Sequence, residues 1–170
     1  CGVVGLRRGR PATLGVFFVK KKSGMLRMIL DTRVLNVYYD DPPYTELPTA
    51  AAFAKLEIDG QEELFLSQLD VDNAFYRVLV PAGMEEELLL PLVSTKALQA
   101  LGVHMPHESL YEPNLSPCML VLPMGFSWSL YLCQALVAKT VAGCGYSGEQ
   151  MLRDRQAPPD LRGSASAAAV

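Results

Sequence analysis

An uncharged stretch of 21 residues, 118–138, constrains the fold more than any other feature of this sequence. A stretch of this length without a charged side chain has to be buried, either in a protein core or in a membrane. Pro123 and Gly125 stand within it, and Pro-x-Gly breaks the helical hydrogen-bond ladder, which lipid offers no water to repair. The stretch therefore predicts a buried strand over 115–122, a turn, and a helix over 127–142. A membrane span over 118–138 is the alternative.

The remaining composition is that of an ordinary globular domain. Half of the 170 residues are apolar and 19% are charged, which predicts one hydrophobic core. The sequence opens with Cys1 rather than Met and shows no pattern of a signal peptide, so we expect an excised or truncated intracellular piece, with cytoplasm and nucleus not distinguished. The cysteines lack C-x-x-C spacing, and His104 and His107 stand alone in a polar loop, so no zinc site is predicted.

Charge is distributed unevenly along the chain. Residues 1–33 carry eight Lys and Arg side chains and one Asp, a net charge of +7, so the other 137 residues carry −10 of the total of −3. A basic arm before an acidic body suits a protein that binds phosphate at one end and cations at the other. A solvated basic loop beside an ordinary acidic surface is the alternative.

The local patterns predict a short series of elements. Apolar runs at 13–19 and 26–30 flank a Lys- and Gly-containing turn, which indicates a hairpin with its tip at 20–24. Thr49 is expected to cap a short helix over residues 49–56. The pattern predicts a strand over 64–70, where apolar and polar residues alternate, a turn or helix over 73–80, and a helix over 94–101. After Gly145 the composition shifts to Arg, Asp, Pro, Ser and Ala, which predicts a disordered tail.

Three segments carry chemical signatures, the first of which is 17–36, F-F-V-K-K-K-S-G-M-L-R-M-I-L-D-T-R-V-L-N. A hairpin tip with Lys20, Lys21 and Lys22, and with Arg27 on the returning strand, supplies mobile cations for a triphosphate. Taken alone, a lysine-rich hairpin tip is usually a solvated turn.

The second segment, 69–78 (L-D-V-D-N-A-F-Y-R-V), places Asp70 at the end of an apolar strand with an aromatic residue soon after it. Phosphoryl transfer with two divalent ions needs hard oxygen ligands at the edge of a rigid sheet. Asp72 points to the opposite face if the strand continues. An Asp that merely forms a turn is the alternative.

The third segment is 116–134, S-P-C-M-L-V-L-P-M-G-F-S-W-S-L-Y-L-C-Q. A strand, a Pro-x-Gly turn and a helix would leave the backbone of Gly125 open to close approach by a base pair or template strand. A plain helix start with Ser127 as its N-cap is the alternative.

In this order and with these gaps, the three segments resemble the reverse-transcriptase family of retroviruses and retroelements, over residues 14–141. The resemblance implies an α+β fold with reverse-transcriptase-like fingers and palm and an incomplete palm sheet. It divides the chain into a basic N-terminal arm (1–13), fingers and partial palm (14–145) and the disordered tail (146–170). Met124 stands where retroviral members often have Gln, and Leu130 where many have Pro.

The resemblance also implies roles for individual residues. Asp70 would be catalytic and would bind Mg²⁺ together with the backbone carbonyl of Val71. Phe75 would exclude a 2′-hydroxyl, so that the substrates would be deoxynucleotides. The implied deoxynucleotide-binding set is Lys21, Lys22, Arg27, Asn73, Ala74, Phe75, Met124 and Gly125. The implied partners are an RNA or DNA template-primer and deoxynucleotides, with no membrane and no indication of oligomeric state.

The family's other catalytic element, Y-x-D-D on a hairpin after the L-P-x-G turn, is not found in residues 131–170. We therefore expect the chain to stop before that hairpin and to be inactive alone. A Y-x-D-D match at 38–41 precedes Asp70 and runs into Pro-Pro, so Asp40 and Asp41 are expected in a loop; a permuted hairpin is the alternative. A non-catalytic retroelement remnant that at most binds nucleic acid is the competing interpretation of the whole chain.

Overall fold

The computed structural model describes residues 2–57, 63, 65–162 and 166–170. These residues form the strands β1 (Val4–Arg8), β2 (Gly15–Lys20), β3 (Leu26–Asp31), β4 (Val93–Ser94), β5 (Asn114–Met119), β6 (Met151–Leu152) and β7 (Ala168–Ala169). The α-helices are α1 (Arg33–Val37), α2 (Ala50–Phe53), α3 (Thr95–Ala100) and α4 (Ser127–Gly143). Short 3-10 helices lie at Ala74–Arg77, Met84–Glu86, His107–Tyr111 and Gly148–Gln150. The architecture is mixed α+β with small sheets, as the sequence predicts.

The chain divides into two compact units. Unit 1 comprises Cys1–Asp41 and Asn73–Ser129, and unit 2 comprises Pro42–Asp72 and Leu130–Val170. The boundary between them crosses α4 near its start.

The main sheet of unit 1 is built around β5. This strand pairs antiparallel with β1 on one side and with β4 on the other, in the order β1-β5-β4. Residues 88–90 extend the β4 side, since the amide of Leu90 donates to the carbonyl of Pro117 and the amide of Met119 donates to the carbonyl of Leu88. Leu115, Ser116, Cys118 and Met119 of this central strand are buried, which accounts for the uncharged sequence of β5.

The remaining strands of unit 1 form the predicted hairpin. β2 and β3 pair antiparallel from Gly15 opposite Asp31 to Lys20 opposite Leu26, which confirms the hairpin and its tip. Val16, Met28 and Leu30 lie on the face that packs against the core. Because side chains alternate along a strand, Phe17 and Ile29 point to the opposite face.

Two clusters of buried apolar side chains lie in unit 1. The larger contains Leu14, Leu30, Leu35, Leu88, Leu90, Met119, Val121 and Phe126. The smaller contains Leu98, Met105 and Leu115 beneath α3. Each such side chain contributes about 1.5–3 kcal/mol on burial, so the larger cluster, which combines residues of the hairpin and of the main sheet, holds the two sheets of the unit together.

The uncharged stretch is divided as its Pro-x-Gly predicts. β5 ends at Met119, Gly125 takes a left-handed φ of +103°, and α4 begins at Ser127. Across the described ranges, no helix is both long enough and apolar enough to cross a bilayer. α4 itself has 17 residues, in which Lys139 is charged.

In unit 2 one prediction is confirmed and one is wrong. The side chain of Thr49 accepts a hydrogen bond from the amide of Ala52 and caps α2, as expected. Residues 65–71, however, have no regular structure and are exposed, so the strand predicted over 64–70 is absent there; Leu64 lies outside the described residues. The physical reason is the lack of a neighbour: no backbone hydrogen bond joins 65–71 to another described residue, and an isolated strand is unstable in water.

The segment after Gly145, which its composition predicts to be disordered, contains local structure in its described part. Ser147 and Gln150 form a capping box at the 3-10 helix, and β6 pairs parallel with β7. Met151 and Leu152 are buried. Polar contacts that composition does not reveal support this segment, since the carboxylate of Asp154 accepts hydrogen bonds from the hydroxyls of Tyr44 and Thr49.

Candidate functional site

The tip of the β2–β3 hairpin carries a cluster of cations. The amide of Gly24 donates to the carbonyl of Lys21 at 2.9 Å, and Gly24 has a φ of +85°, which closes the tight turn that only glycine adopts easily. Lys20, Lys21 and Lys22 are exposed, and Arg27 lies opposite Val19 on the returning strand. None of these four cations forms an ion pair with a carboxylate of the described residues. Their charge is therefore available to a ligand.

The first and third sequence segments meet through Asn36. The side-chain Nδ2 of Asn36 donates to the backbone carbonyl of Gly125 at 3.0 Å. The side-chain Oδ1 of Asn36 accepts from the backbone amide of Ser127, also at 3.0 Å. These two hydrogen bonds hold the Pro-x-Gly turn against α1 and satisfy one of the unpaired amides at the start of α4. Asn36 therefore fulfils the capping role that the sequence suggested for Ser127, whose buried hydroxyl has no partner among the described residues.

Gly125 is required at this turn for two reasons. Its φ of +103° disfavours any residue with a side chain. A Cβ atom added at this position would also lie 3.1 Å from the hydroxyl oxygen of the buried Thr32. The absence of a side chain at Gly125 therefore allows the turn to pack directly against the end of β3 and Thr32.

A cavity of about 270 Å³ opens where the hairpin, α1 and this turn come together. It is lined by Phe17, Ile29, Leu30, Asp31, Thr32, Arg33, Asn36 and Gly125. It therefore combines an aromatic face with charged and amide groups, which is the combination that a nucleotide or a nucleic-acid strand can use.

An ion pair stands at the rim of this cavity. The guanidinium of Arg33 donates to both carboxylate oxygens of Asp31, at 2.9 and 2.6 Å. These hydrogen bonds lower the pKa of Asp31 to about 2, so the carboxylate stays charged and compensates the charge of Arg33. The net positive charge of the hairpin therefore comes from the lysines of the tip and from Arg27 rather than from Arg33.

The second segment joins the third through a short antiparallel ladder. The amide of Val80 donates to the carbonyl of Leu120 and the amide of Leu122 donates to the carbonyl of Val78, both at 3.0 Å. In this register Phe75 and Gly125 each lie three residues beyond the last bonded pair, at the same end of the ladder. The 3-10 helix Ala74–Arg77 begins after Asn73, which has a left-handed φ of 53°. Asn73, Ala74 and Phe75 therefore lie at the same end of the ladder as Met124 and Gly125.

Asp70 and Val71 belong to unit 2, whereas every other residue of the implied set belongs to unit 1. Both lie in the exposed irregular segment 65–71, not at the end of a paired strand as the sequence predicted. The sheet edge that would hold a catalytic carboxylate in place is therefore not formed by the described residues.

Asp70 and Val71, the described residues to which metal binding is assigned, do not fit a complete two-magnesium site. Two ions need several hard oxygen ligands, and Asp70 with one backbone carbonyl provides too few. No group of three or more His, Cys, Asp or Glu side chains that could hold a metal ion occurs in residues 2–57, 63, 65–162 and 166–170.

The predicted basic arm is a strand with paired charges. Arg7, Arg8 and Arg10 form ion pairs with Glu85, Glu112 and Glu86, at 2.8, 3.0 and 2.8 Å. The hydroxyl of Ser116 further fixes this segment by bonding both the amide and the carbonyl of Arg10. Sequence alone could not identify these partners, because they lie about eighty to one hundred residues away along the chain and are brought near by β5.

The Y-x-D-D match at 38–41 follows α1 and forms no hairpin. The indole of Trp128 donates to the carbonyl of Asp40 at 2.7 Å, and Tyr39 packs edge-on against Phe126 at 5.1 Å. The hydroxyl of Tyr39 donates to Glu87, and burial, followed by this hydrogen bond, raises the pKa of Tyr39 to about 12. The segment is a loop anchored in unit 1, as expected for its position before the second segment.

Asn36, Thr32 and the Asp31–Arg33 pair are the site residues to which the sequence assigned no role. The signal that could have identified them is the D-T-R-V-L-N spacing, which places Asp31 at the end of β3 and Arg33 and Asn36 in the short helix α1. In comparisons with known proteins, neither a protein-family model nor a curated protein matches the chain.

Proposed function

We propose that the chain is the fingers and part of the palm of a reverse-transcriptase-like domain, and that the 170-residue chain binds nucleic acid through the β2–β3 hairpin without polymerising deoxynucleotides. The observation that carries the proposal is the meeting of the first and third segments at the cavity beside Asn36 and Gly125. Asn36 and Gly125, which lie 89 residues apart in the sequence, are joined by a hydrogen bond, and this contact supports the proposal.

The distribution of paired and unpaired charge indicates where nucleic acid would bind. The arginines of β1 and of the residues after it are neutralised by glutamates, whereas the lysines of the hairpin tip are not. Phosphate contacts provide most of the affinity of non-specific binding. We therefore assign the phosphate-binding role to residues 20–27 and not to the whole of residues 7–33.

Exposed aromatic surface beside these cations supports the same assignment. Phe17 is half exposed, and its ring lines the cavity on the face opposite the core. Aromatic side chains next to lysines provide stacking surfaces for bases of a single strand.

In an intact parent enzyme, the proposal includes RNA-directed DNA synthesis, with Asp70 and Val71 binding Mg²⁺ and Phe75 selecting deoxynucleotides. Magnesium would supply charge stabilisation at the transferred phosphate. Lys21, Lys22 and Arg27 would bind the triphosphate, and Asn73, Ala74, Met124 and Gly125 would line the nascent base pair. Because this chain has too few ligands for two ions, we expect no primer extension from it alone.

Binding is tested by fluorescence anisotropy with a labelled primer-template that has a single-stranded overhang. Replacing Lys20, Lys21 and Lys22 with Ala should weaken binding and lower the salt slope by about 2–3. The matched control replaces Lys55, Lys96 and Lys139, which removes the same charge from other exposed positions. Equal losses in the two triple variants would contradict the assignment, because they would indicate attraction by net charge alone.

Catalysis is tested by primer extension with Mg²⁺ and all four deoxynucleotides. The expected result is no extended product. Extension that is abolished by Asp70→Asn would overturn the proposed inactivity and would restore Asp40 and Asp41 as candidate ligands.

A non-catalytic remnant that only binds nucleic acid is the second candidate, and the exposure of Asp70 on an unpaired segment favours it. The two candidates differ in deoxynucleotide binding. A fingers and palm domain should bind a deoxynucleoside triphosphate on a primer-template and lose this binding in Arg27→Ala. A remnant should show the same primer-template affinity with and without the triphosphate.

A further inference from the structure

The exposed segment 65–71 has the sequence of a strand but no partner strand among the described residues. Its residues F-L-S-Q-L-D-V are mainly apolar or β-compatible, and Phe65, Leu66 and Leu69 are each more than four-fifths exposed. No backbone hydrogen bond joins it to another described residue. An exposed apolar segment whose amides and carbonyls have no partner among the described residues is a template for strand addition.

The β2–β3 hairpin presents a second unpaired edge. β2 pairs with β3 and with no other described strand, so its outer edge is open. Phe17, Phe18 and Val19 are each about half exposed along this strand, and Lys20, Lys21 and Lys22 follow them. The edge therefore has an apolar part followed by a basic part.

Residues 65–71 could pair either with the same segment of another copy or with the outer edge of β2, and the charges favour the second of these partners. Pairing with the same segment of another copy would bring Glu63 and Asp70 of both chains into one short sheet without a cation, and like charges in such a sheet are unfavourable. Parallel pairing with the outer edge of β2 would place the lysines beside Asp70 and the phenylalanines beside Phe65 and Leu66. This second arrangement joins apolar to apolar and cation to anion.

We propose that residues 65–71 of one copy of this chain pair, as a parallel strand, with the outer edge of β2 in a second copy. The contact is heterologous, because two different surfaces meet, so it extends from chain to chain unless the geometry closes into a ring. This inference does not rest on the proposed nucleic-acid function; if both hold, oligonucleotide bound at the lysines should oppose assembly.

The test is sedimentation of the full chain from about 1 to about 100 μM, with hydrogen exchange measured at both ends of that range. We expect association that weakens between about 50 and about 500 mM salt, together with rising protection at 65–71 and at 16–20. A monomer throughout the range would overturn the proposal. Association with protection elsewhere, for example along α4, would also overturn it.

Substitutions separate strand pairing from a general loss of solubility. Ser67→Pro removes an amide donor from an exposed irregular segment and should weaken association at least about tenfold without unfolding the monomer. Asp70→Lys and Lys22→Glu should each weaken association about two- to fivefold, and the double variant should restore it, since exposed ion pairs are worth about 0.2–1 kcal/mol. Failure of the double variant to recover would overturn the parallel arrangement.

Precipitation of the wild-type chain would itself be informative. If the wild type precipitates, Ser67→Pro should keep the chain in solution at the same concentration. A Ser67→Pro variant that precipitates equally would overturn the proposal, because it would show that another surface drives association.

Discussion

The two units of the chain are stabilised in different ways. Unit 1 contains both clusters of buried apolar side chains, whereas the large apolar residues of unit 2 include Phe65 and Leu69, which are 86% and 96% exposed. Unit 2 relies more on polar contacts, in which Asp154 and Glu46 join residues 44–49 to residues 153–156. Exposed polar contacts each add at most about 1 kcal/mol, and burial of one side chain adds about 1.5–3 kcal/mol.

This difference indicates which part of the chain can hold a precise site. Ligand positioning needs side chains that are fixed by packing around them. Asn36, Gly125 and the hairpin have this support in unit 1. Asp70 does not have it in unit 2, which is why we separate nucleic-acid binding from catalysis in this chain.

Substitution of one leucine from each unit should give the largest difference in the free energy of unfolding. Leu88 is 0% exposed and Leu69 is 96% exposed. Leu88→Ala should lower the free energy of unfolding by about 2–5 kcal/mol, because it leaves a cavity in the core. Leu69→Ala should change the free energy of unfolding by less than about 0.5 kcal/mol. Urea titration followed by the fluorescence of Trp128, the single tryptophan, measures both, and similar losses would contradict the contrast between the units.

The turn at Gly125 provides the second comparison, within unit 1. Gly125→Ala meets both a left-handed φ and the hydroxyl of Thr32, whereas Gly83→Ala meets a φ of +95° with open space around it. Backbone strain alone should cost about 1 kcal/mol, and the contact with Thr32 should add about 1 kcal/mol at Gly125. Urea titration of the two variants gives the difference, and equal costs would show that Thr32 moves aside freely.

Much of unit 1 could be predicted from the sequence because its signals are local. The hairpin follows from two apolar runs around a Lys-Gly turn, and the division of the uncharged stretch follows from Pro123 and Gly125. The ion pairs of Arg7 and Arg10 could not be predicted, since their partners depend on how β1 packs beside β5. The strand predicted at 64–70 failed for a related reason: alternation shows that a segment can pair, but not that a neighbour is present.

Loss of the two side-chain hydrogen bonds of Asn36 should lower the free energy of unfolding by a smaller amount. Asn36→Ala removes both and should cost about 1–2 kcal/mol, with loosening of the Pro-x-Gly turn. Asn36→Asp retains the acceptor for the amide of Ser127 and loses the donor to Gly125, so its cost should be smaller. Thermal unfolding of the three proteins checks this order, and a cost for Asn36→Asp equal to that for Asn36→Ala would mean that the acceptor contributes nothing.

The smallest expected effect lies in the polar contacts of unit 2. The hydrogen bond from Tyr44 is the main cause that lowers the pKa of Asp154. A carboxylate with a lowered folded pKa stabilises the fold above its unfolded pKa of about 3.9, and this contribution is lost as the pH falls through the folded pKa. Tyr44→Phe should therefore raise the pKa of Asp154 towards about 3.9.

Carboxyl-detected NMR titration measures that pKa directly. Tyr38→Phe is the control, because Tyr38 is exposed and lies in unit 1. An unchanged pKa of Asp154 in Tyr44→Phe would indicate that Thr49 or Arg155 holds the carboxylate instead.

The most direct test of the account is a titration of the ¹⁵N-labelled chain with an unlabelled primer-template that carries a single-stranded overhang, followed by amide chemical shifts. The account predicts shifts concentrated at 17–33, at Asn36 and at 124–126, with little change at 4–10, where the arginines are already paired. Shifts concentrated at 4–10, with the hairpin and the Gly125 turn unaffected, would contradict it.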